Sequence, residues 1–394
     1  MYTRRVSFNE KLYLAMDQLE PGLCIQIALE GEGAIELDAL ERAVAEASLV
    51  NPGARLILKS YLGWMRWAAI GPHPVVRRVN SWTGQDVPPE VERSLSPKTG
   101  PTCEVVYAPV HTPATSIDAP TRVVFRCFHG VMDARGLLHF AEDVFRSLRG
   151  EPLVGAECRL TDTELVESLV GHRTRKALKG ERRSVNGARS RRRGEIIARR
   201  VSLAGPLPGL VARVATTLAS YSAQHHDLPM RAMIPVDVRH YQRDLRSTGN
   251  LTCPLFLDID PDQDWRRLHR KILKSLGSKA PLYLDPAERI ARWMPLWVLR
   301  SFYRVWSAWH RRIGLYPVSA LISHVSLDTL TPLEGCGFSR TSAYFLPPPG
   351  DAIPLVVSVV SDRSAVQIVV SGPDSLLSDE HLDELCVALT TGCE

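Results

Sequence analysis

The sequence predicts an α+β protein made of two sandwich-like halves joined by a basic crossover, on three observations. The chain has 394 residues, a length that calls for two hydrophobic cores or one fold made of two halves. Strand-like and helix-like stretches are mixed in both halves, without the regular βαβ alternation of a doubly wound sheet. Between them, residues 172–200 carry twelve Lys/Arg against two Asp/Glu, with few apolar residues and several Gly and Ser, as a flexible linker does. The expected boundaries are 1–171 for the first half, 172–200 for the crossover and 201–394 for the second half.

In the first half, Cys24-Ile25-Gln26-Ile27-Ala28-Leu29 alternates as a strand does, and Glu30-Gly31-Glu32-Gly33 predicts the turn that ends it. Leu37, Leu40, Val44 and Ala47 then recur at helical spacing until Pro52 and Gly53. Residues 56–79 predict further strands. The run Arg122–Phe128, rich in β-branched and aromatic residues, predicts a buried strand that stops at His129-Gly130. After Gly136, the residues Leu137, Phe140, Val144 and Leu148 trace one helix face, closed by Gly150 and Pro152. In the second half the pattern predicts a helix over 207–223, a strand over 231–238, a strand in LTCPLFLDID and a helix over 264–276. A long aromatic stretch, 293–312, precedes strands near 318–327, 340–346, 354–360 and 365–371. A helix over 378–391 closes the chain.

Composition narrows the function classes. The chain is 45% hydrophobic and 23% charged, as soluble globular proteins are. Its first residues contain no apolar run suited to a signal peptide, and charges interrupt every candidate spanning segment, so a cytoplasmic location is expected. The eight cysteines form no CxxC pair and no Cys/His cluster at zinc spacing, so neither a disulfide framework nor a metal site is implied. No Gly-rich phosphate loop is present. The net charge of +5 is uneven: outside 172–200 the chain carries 36 Lys/Arg and 41 Asp/Glu. The basicity is therefore expected to belong to that one segment.

The pattern His-x-x-x-Asp occurs four times, where about 0.6 of a match is expected by chance. His139 and Asp143 fall inside a predicted helix, where spacing of four makes them neighbours on its surface, an exposed polar pair. His240 and Asp244 lie in a polar loop. His324 closes a strand, with Asp328 in a turn-like run. His129 differs: it ends a buried strand, Gly130 follows, and Asp133 sits in a short turn before a helix. The backbone is then fixed on both sides while the ring projects beyond the strand. A general base needs such placement and a pKa near neutrality. The competing possibility is a core histidine satisfied by a backbone carbonyl.

FHGVMDARG, on a strand–loop–helix, resembles the HHxxxDG motif of the chloramphenicol-acetyltransferase-like superfamily. That superfamily includes condensation domains of peptide synthetases, plant-type alcohol acyltransferases and polyketide-associated acyltransferases. The resemblance extends along the chain. GEGAIELDALERAVAEASLVNPGARL is similar to the family's first strand–turn–helix, MIPVDVRHYQRDLRSTGNLTCPLF to its later "PvDlR…GN" segment, and ALISHVSLD stands where "SNlG" is usual. Three positions depart: Phe128 replaces the first motif His, Ala134 replaces the motif Gly, with Gly136 two places on, and His324 replaces the usual Asn. The DFGWG element of plant-type members is absent.

The resemblance implies two chloramphenicol-acetyltransferase-like halves forming a V, with an active-site tunnel between them, and a monomer. It gives His129 the role of general base and Asp133 a structural role, in a buried salt bridge with Arg239, Arg135 being a second candidate partner closer in sequence. Ala134, through its backbone N–H, Ser323, Ser326 and His324 are the candidates for supporting the oxyanion. It implies an acyltransferase that moves an acyl group from a CoA or carrier-protein thioester to a hydroxyl or amine of a small-molecule acceptor, with no acyl-enzyme. No tightly bound cofactor is implied; acyl-CoA or a phosphopantetheinyl thioester is a co-substrate. The expected setting is specialised metabolism or lipid assembly. The alternatives are a free-standing condensation enzyme forming an amide or ester from carrier-bound substrates, and a non-catalytic binding or scaffold member of the fold.

Two features bear on partners. The segment 172–200 suits an acidic acyl or peptidyl carrier protein or the CoA phosphates, or is simply solvated; without interleaved aromatics it does not suit nucleic acid. Trp293, Trp297, Trp306 and Trp309, interleaved with Arg, suit either a membrane-surface helix or a helix packed on the core with its Arg stems reaching to solvent.

Overall fold

The computed structural model describes the chain except residues 21, 62–63, 80–81, 83–86, 110–119, 176–177, 284, 286–287, 289–290, 348–349, 351–352 and 394. It divides into two compact units interleaved in sequence. The first comprises Met1–Leu165, Arg239–Leu251 and Thr329–Leu346, and the second Val166–Val238, Thr252–Asp328 and Pro347–Glu394. Two short segments from beyond residue 200 thus fold with the first unit.

The first unit contains strands β1 (Thr3–Arg5), β2 (Cys24–Glu32), β3 (Ile57–Tyr61), β4 (Trp64–Ala68), β5 (Val75–Arg78), β6 (Cys103–Ala108) and β7 (Thr121–Phe128). Its helices are α1 (Phe8–Asp17), α2 (Leu37–Val50), α3 (Pro89–Glu92) and α4 (Ala134–Leu148), while α5 (Asp162–Val170) spans the boundary between units. A later strand, β12 (Ser339–Phe345), joins its five-stranded sheet, ordered β12-β2-β7-β6-β5; β1-β4-β3 form a small separate sheet.

Strand β7 lies at the middle of the larger sheet, and all eight of its residues are buried. Its two arginines are accommodated by pairing: Arg122 meets Glu30 at 2.9 Å and Arg126 meets Glu104 at 2.6 Å. Buried charges persist only when so paired.

Strand β2 runs through Glu32, so the turn expected at Glu30–Gly33 begins three residues late, at Gly33. Partner strand β12 explains the difference, because it pairs with Gly31 and Glu32. A Cβ on Gly31 would stand 2.3 Å from the Ser339 carbonyl oxygen. That glycine permits close strand approach rather than a turn. Helix α1, which carries a Ser7/Glu10 capping box, strand β6 and helix α5 have no counterpart in the sequence reading.

The second unit contains β8 (Ile196–Ala204), β9 (Met230–Asp237), β10 (Thr252–Ile259), β11 (Ala320–Ser326), β13 (Val356–Ser361) and β14 (Ala365–Pro373). They form a six-stranded sheet ordered β10-β9-β11-β13-β14-β8. Neighbours β9, β11 and β13 run parallel, and the other pairs are antiparallel. Helices α6 (Leu210–Ala223), α7 (Trp265–Gly277), α8 (Leu296–Ile313) and α9 (Asp379–Cys393) complete the unit. Leu218, Leu268, Ile322, Val357, Ile368 and Leu385 belong to its core. Residues 196–200 of the basic segment are part of β8, paired along β14, rather than linker. Among the described residues no helix is long and apolar enough to cross a membrane.

Candidate functional site in the first unit

His129 follows β7 directly, and its backbone N–H donates to the Leu23 carbonyl at 3.0 Å. Its carbonyl accepts from Asn250 Nδ2 at 3.0 Å. The peptide is thereby held from both sides. The ring stacks on Tyr13 with centroids 4.2 Å apart and planes 19° apart. Nδ1 lies 3.3 Å from the Met132 carbonyl oxygen. A carbonyl only accepts, so this contact assigns the ring proton to Nδ1 and leaves the Nε2 lone pair available. Burial lowers the His129 pKa, against the opposing pull of the Asp133 charge and the Met132 carbonyl. The imidazole is neutral at physiological pH, the state a base needs.

The turn after His129 is built by close packing. A Cβ on Gly130 would lie 2.5 Å from the Phe128 ring, so the residue after the histidine has to be glycine. Phe128, where the family motif has a histidine, is fully buried and packs near Trp67, ring centroids 6.4 Å apart. Asp133 then caps α4, its Oδ1 accepting from the Gly136 N–H at 2.8 Å. The helix therefore begins at Ala134, ahead of the expected start after Gly136. Gly136 is needed inside it because a Cβ there would stand 2.3 Å from the Thr248 carbonyl oxygen.

The structure brings Asp133 and Arg239 together. Arg239 donates through Nη1 to Oδ2 at 2.9 Å and through Nη2 to Oδ1 at 3.0 Å, the two-pronged geometry that guanidinium favours. It also donates to the carbonyls of Ser247, at 3.1 Å, and Gly249. Oδ2 of Asp133 also accepts from the Leu251 N–H at 2.7 Å. Burial alone pushes the Asp133 carboxyl up, but the Arg239 charge and these hydrogen bonds outweigh it and hold the pKa below the usual carboxylate range. Asp133 stays ionised and fully engaged. It shapes the turn rather than shuttling a proton.

The other His-x-x-x-Asp matches are arranged differently. His139 and Asp143 are not the exposed pair the helix spacing predicts. Asp143 is fully buried, accepting from Asn51 Nδ2 and from the Val154 and Gly155 N–H groups. Burial, reinforced by Arg246, Arg239 and Arg135, pushes His139 down to about 2. Residues 239–251 pack onto this side of α4, so the face is covered. His240 is exposed, and Asp244 adopts a left-handed φ of 59°.

Ser323, His324 and Ser326 stand on β11, in the second unit. His324 Nε2 lies 2.8 Å from Ser361 Oγ, and Ser326 Oγ donates to Asp328 at 3.0 Å. Ala134 is the first residue of α4, so its N–H has no acceptor within the helix. Two site residues were missed in the sequence. Tyr13 lies on an unpredicted helix, and its hydroxyl is pushed up to about 12 by burial and the Asp133 charge, against a hydrogen bond from Asn250. Asn250 is the Asn of the "PvDlR…GN" segment, where a side chain reaching back to the His129 carbonyl was the available clue. Among the described residues no group of three His, Cys, Asp or Glu is placed to hold a metal ion.

No protein-family model matches the chain, and no curated protein does. Solved structures do match, over nearly its full length. The starter condensation domain of rhizomide synthetase RzmA, as a mutant in a "product-released" conformation, superimposes with a TM-score of 0.67 at 17% identity, over 99% of this chain and 94% of that one. The fold is that of a condensation domain. A second RzmA mutant, in complex with C8-CoA and Leu-SNAC, matches with a TM-score of 0.66 at 16% identity, over 99% and 93% of the two chains. Polyketide synthase associated protein 5 from Mycobacterium tuberculosis matches with a TM-score of 0.59 at 15% identity, over 99% and 98%. The condensation-type fold, with its two chloramphenicol-acetyltransferase-like halves, accounts for the order of segments noted in the sequence.

Proposed function

We propose that the protein transfers an acyl group from a thioester to a hydroxyl or amine, with His129 as general base. One observation carries this: a neutral imidazole whose Nδ1 is pinned to the Met132 carbonyl, leaving Nε2 to take a proton. The acceptor's O–H or N–H gives its proton to Nε2 as the oxygen or nitrogen attacks the thioester carbonyl. The tetrahedral intermediate collapses with loss of the thiolate, and the proton on Nε2 passes to the sulfur. No bond to the enzyme forms. The Ala134 N–H, at the start of the helix that Asp133 caps, is the candidate donor to the oxyanion.

The RzmA complex with C8-CoA supports testing acyl-CoA donors of medium length first, with an amino-acid amine as acceptor. The carrier-protein alternative draws on segment 172–200. Arg182, Arg192 and Arg199 there already pair with Asp258, Asp374 and Asp379 of the same unit, which leaves less of that charge for a partner. The deciding assay offers one acyl group as its CoA ester and as its carrier-protein thioester, and follows free thiol and product by mass spectrometry. Acceptor-dependent thiol release that disappears in His129→Ala is expected. Product formation unchanged in that variant would remove the base role from His129, and no thiol release or product from the parent with either donor would leave a binding or scaffold protein.

A further inference from the structure

A second stretch of the chain carries the same excess of basic residues as 172–200, over a longer span. Residues 265–312 hold twelve Lys/Arg and two Asp/Glu, so the basicity is not confined to one segment. The two acids, Asp285 and Glu288, both lie beside Arg175. Helix α8 ends this stretch, and between residues 291 and 312 there is no acidic residue at all.

The helix is laid on its unit by one face. Leu299, Ser307, His310 and Arg311 are buried, and Trp306 packs edge-on against His310 at 4.4 Å. The opposite face is apolar and uncovered. Trp297, Phe302, Val305 and Trp309 are each between 58% and 67% exposed. At 100° per residue they fall within an arc of about 140°. Trp293, just before the helix, is equally exposed. Arg304 and Arg312, both exposed, stand at the edge of that arc and within it. Large aromatics more than half in water are unusual on a soluble surface, and their grouping on one helix marks an interaction face.

We propose that α8 seats the protein on an anionic lipid surface, lying in the plane of the interface with Trp297, Phe302, Val305 and Trp309 among the acyl chains. The occupant follows from charge and chemistry. A face of indoles and arginines without a single carboxylate complements phosphate headgroups above a hydrocarbon layer. Indole rings prefer that boundary, where the apolar body is buried and the N–H stays wet. The helix is too charged to cross, so binding is peripheral and weakens with salt. The inference does not depend on the acyl-transfer chemistry.

The test is co-sedimentation of the full chain with vesicles of phosphatidylcholine alone and of phosphatidylcholine with phosphatidylglycerol. Binding to the anionic vesicles, a blue shift of indole emission and release by salt are expected. The triple variant Trp297→Ser, Val305→Ser, Trp309→Ser changes only exposed side chains, so its circular dichroism should match the parent. Its partitioning should fall at least about tenfold. Arg304→Glu with Arg312→Glu should remove the preference for anionic lipid, and His129→Ala should bind as the parent does. No association with anionic vesicles, or equal association of the triple variant, overturns the proposal. So does a dimer in solution that the triple variant dissociates, since the face would then belong to a second copy of the chain.

Discussion

His129–Asp133 and His139–Asp143 share a spacing, lie ten residues apart and end in equally buried carboxylates. Both carboxylates are gripped by arginines of one segment, Asp133 by Arg239 and Asp143 by Arg246. Backbone N–H groups also donate to both, so each carboxylate is held in place from several sides. The difference lies in the imidazoles. His129 stands past the end of a strand, with one nitrogen fixed by a carbonyl and the ring steadied by Tyr13. His139 stands inside a helix among three arginines that disfavour its charged form, and its buried Nδ1 has no hydrogen-bond partner among the described residues. The spacing supplies a buttressing aspartate in both cases; a usable base comes only where the chain leaves regular structure.

Substituting each histidine tests that contrast most severely. His129→Ala should lower kcat/KM by about 10²–10⁴-fold, the usual worth of a general base. His139→Gln should change it by less than about tenfold, since that ring meets no reacting atom. Comparable losses in both variants would break the distinction between them.

The arginines come next. Removing Arg239 leaves a buried carboxylate uncompensated, so Arg239→Met should cost about 3–5 kcal/mol in urea unfolding. Arg246→Met should cost less, about 1–2 kcal/mol, because Asp143 keeps its three other donors. A double-mutant cycle of Asp133→Asn with Arg239→Met should show strong coupling. Additive losses would mean that the pair is not the strut it resembles.

The strand to His129, the turn to Asp133 and the Asp133–Arg239 pairing follow the order of motifs in the sequence, because β-branched runs, a terminal glycine and a capping aspartate each act locally. What was not legible depended on distant partners. The strand continuing through Gly31 needs β12, some 300 residues away, and the burial of Asp143 needs residues 239–251 folded over α4. The departure at Ala134 and Gly136 makes sense only once Thr248 is seen against the helix. Tyr13 was invisible because its helix has a broken apolar pattern, and its role comes from stacking on a ring far along the chain.

Acid should separate the two histidines from the rest of the fold. Both have a folded pKa below 6.5, the ordinary value, so protons favour the unfolded chain. Their stabilising effect is complete above pH 6.5 and is lost as the pH falls below it. For His139, held at about 2, the loss is on the order of 2 kcal/mol between pH 6.5 and about 5. Urea midpoints measured across that window should flatten in His139→Gln. An unchanged slope would show that the ring titrates normally. For His129 the same sign appears in the rate: the acid limb of kcat/KM should lie below pH 6.5, since the neutral ring is the working form.

The smallest expected effect concerns what holds the His129 ring still. Tyr13 lies against it at 4.2 Å, a contact worth about 0.5–1.5 kcal/mol. Tyr13→Leu removes the stacked face while keeping apolar bulk, so kcat should fall roughly two- to tenfold as the imidazole samples orientations in which Nε2 is misdirected. Tyr13→Phe keeps the face and loses only the hydroxyl contact with Asn250, so it should stay closer to the parent. If Phe proves as damaging as Leu, the hydroxyl and its link through Asn250 to the His129 carbonyl position the base, and stacking is incidental.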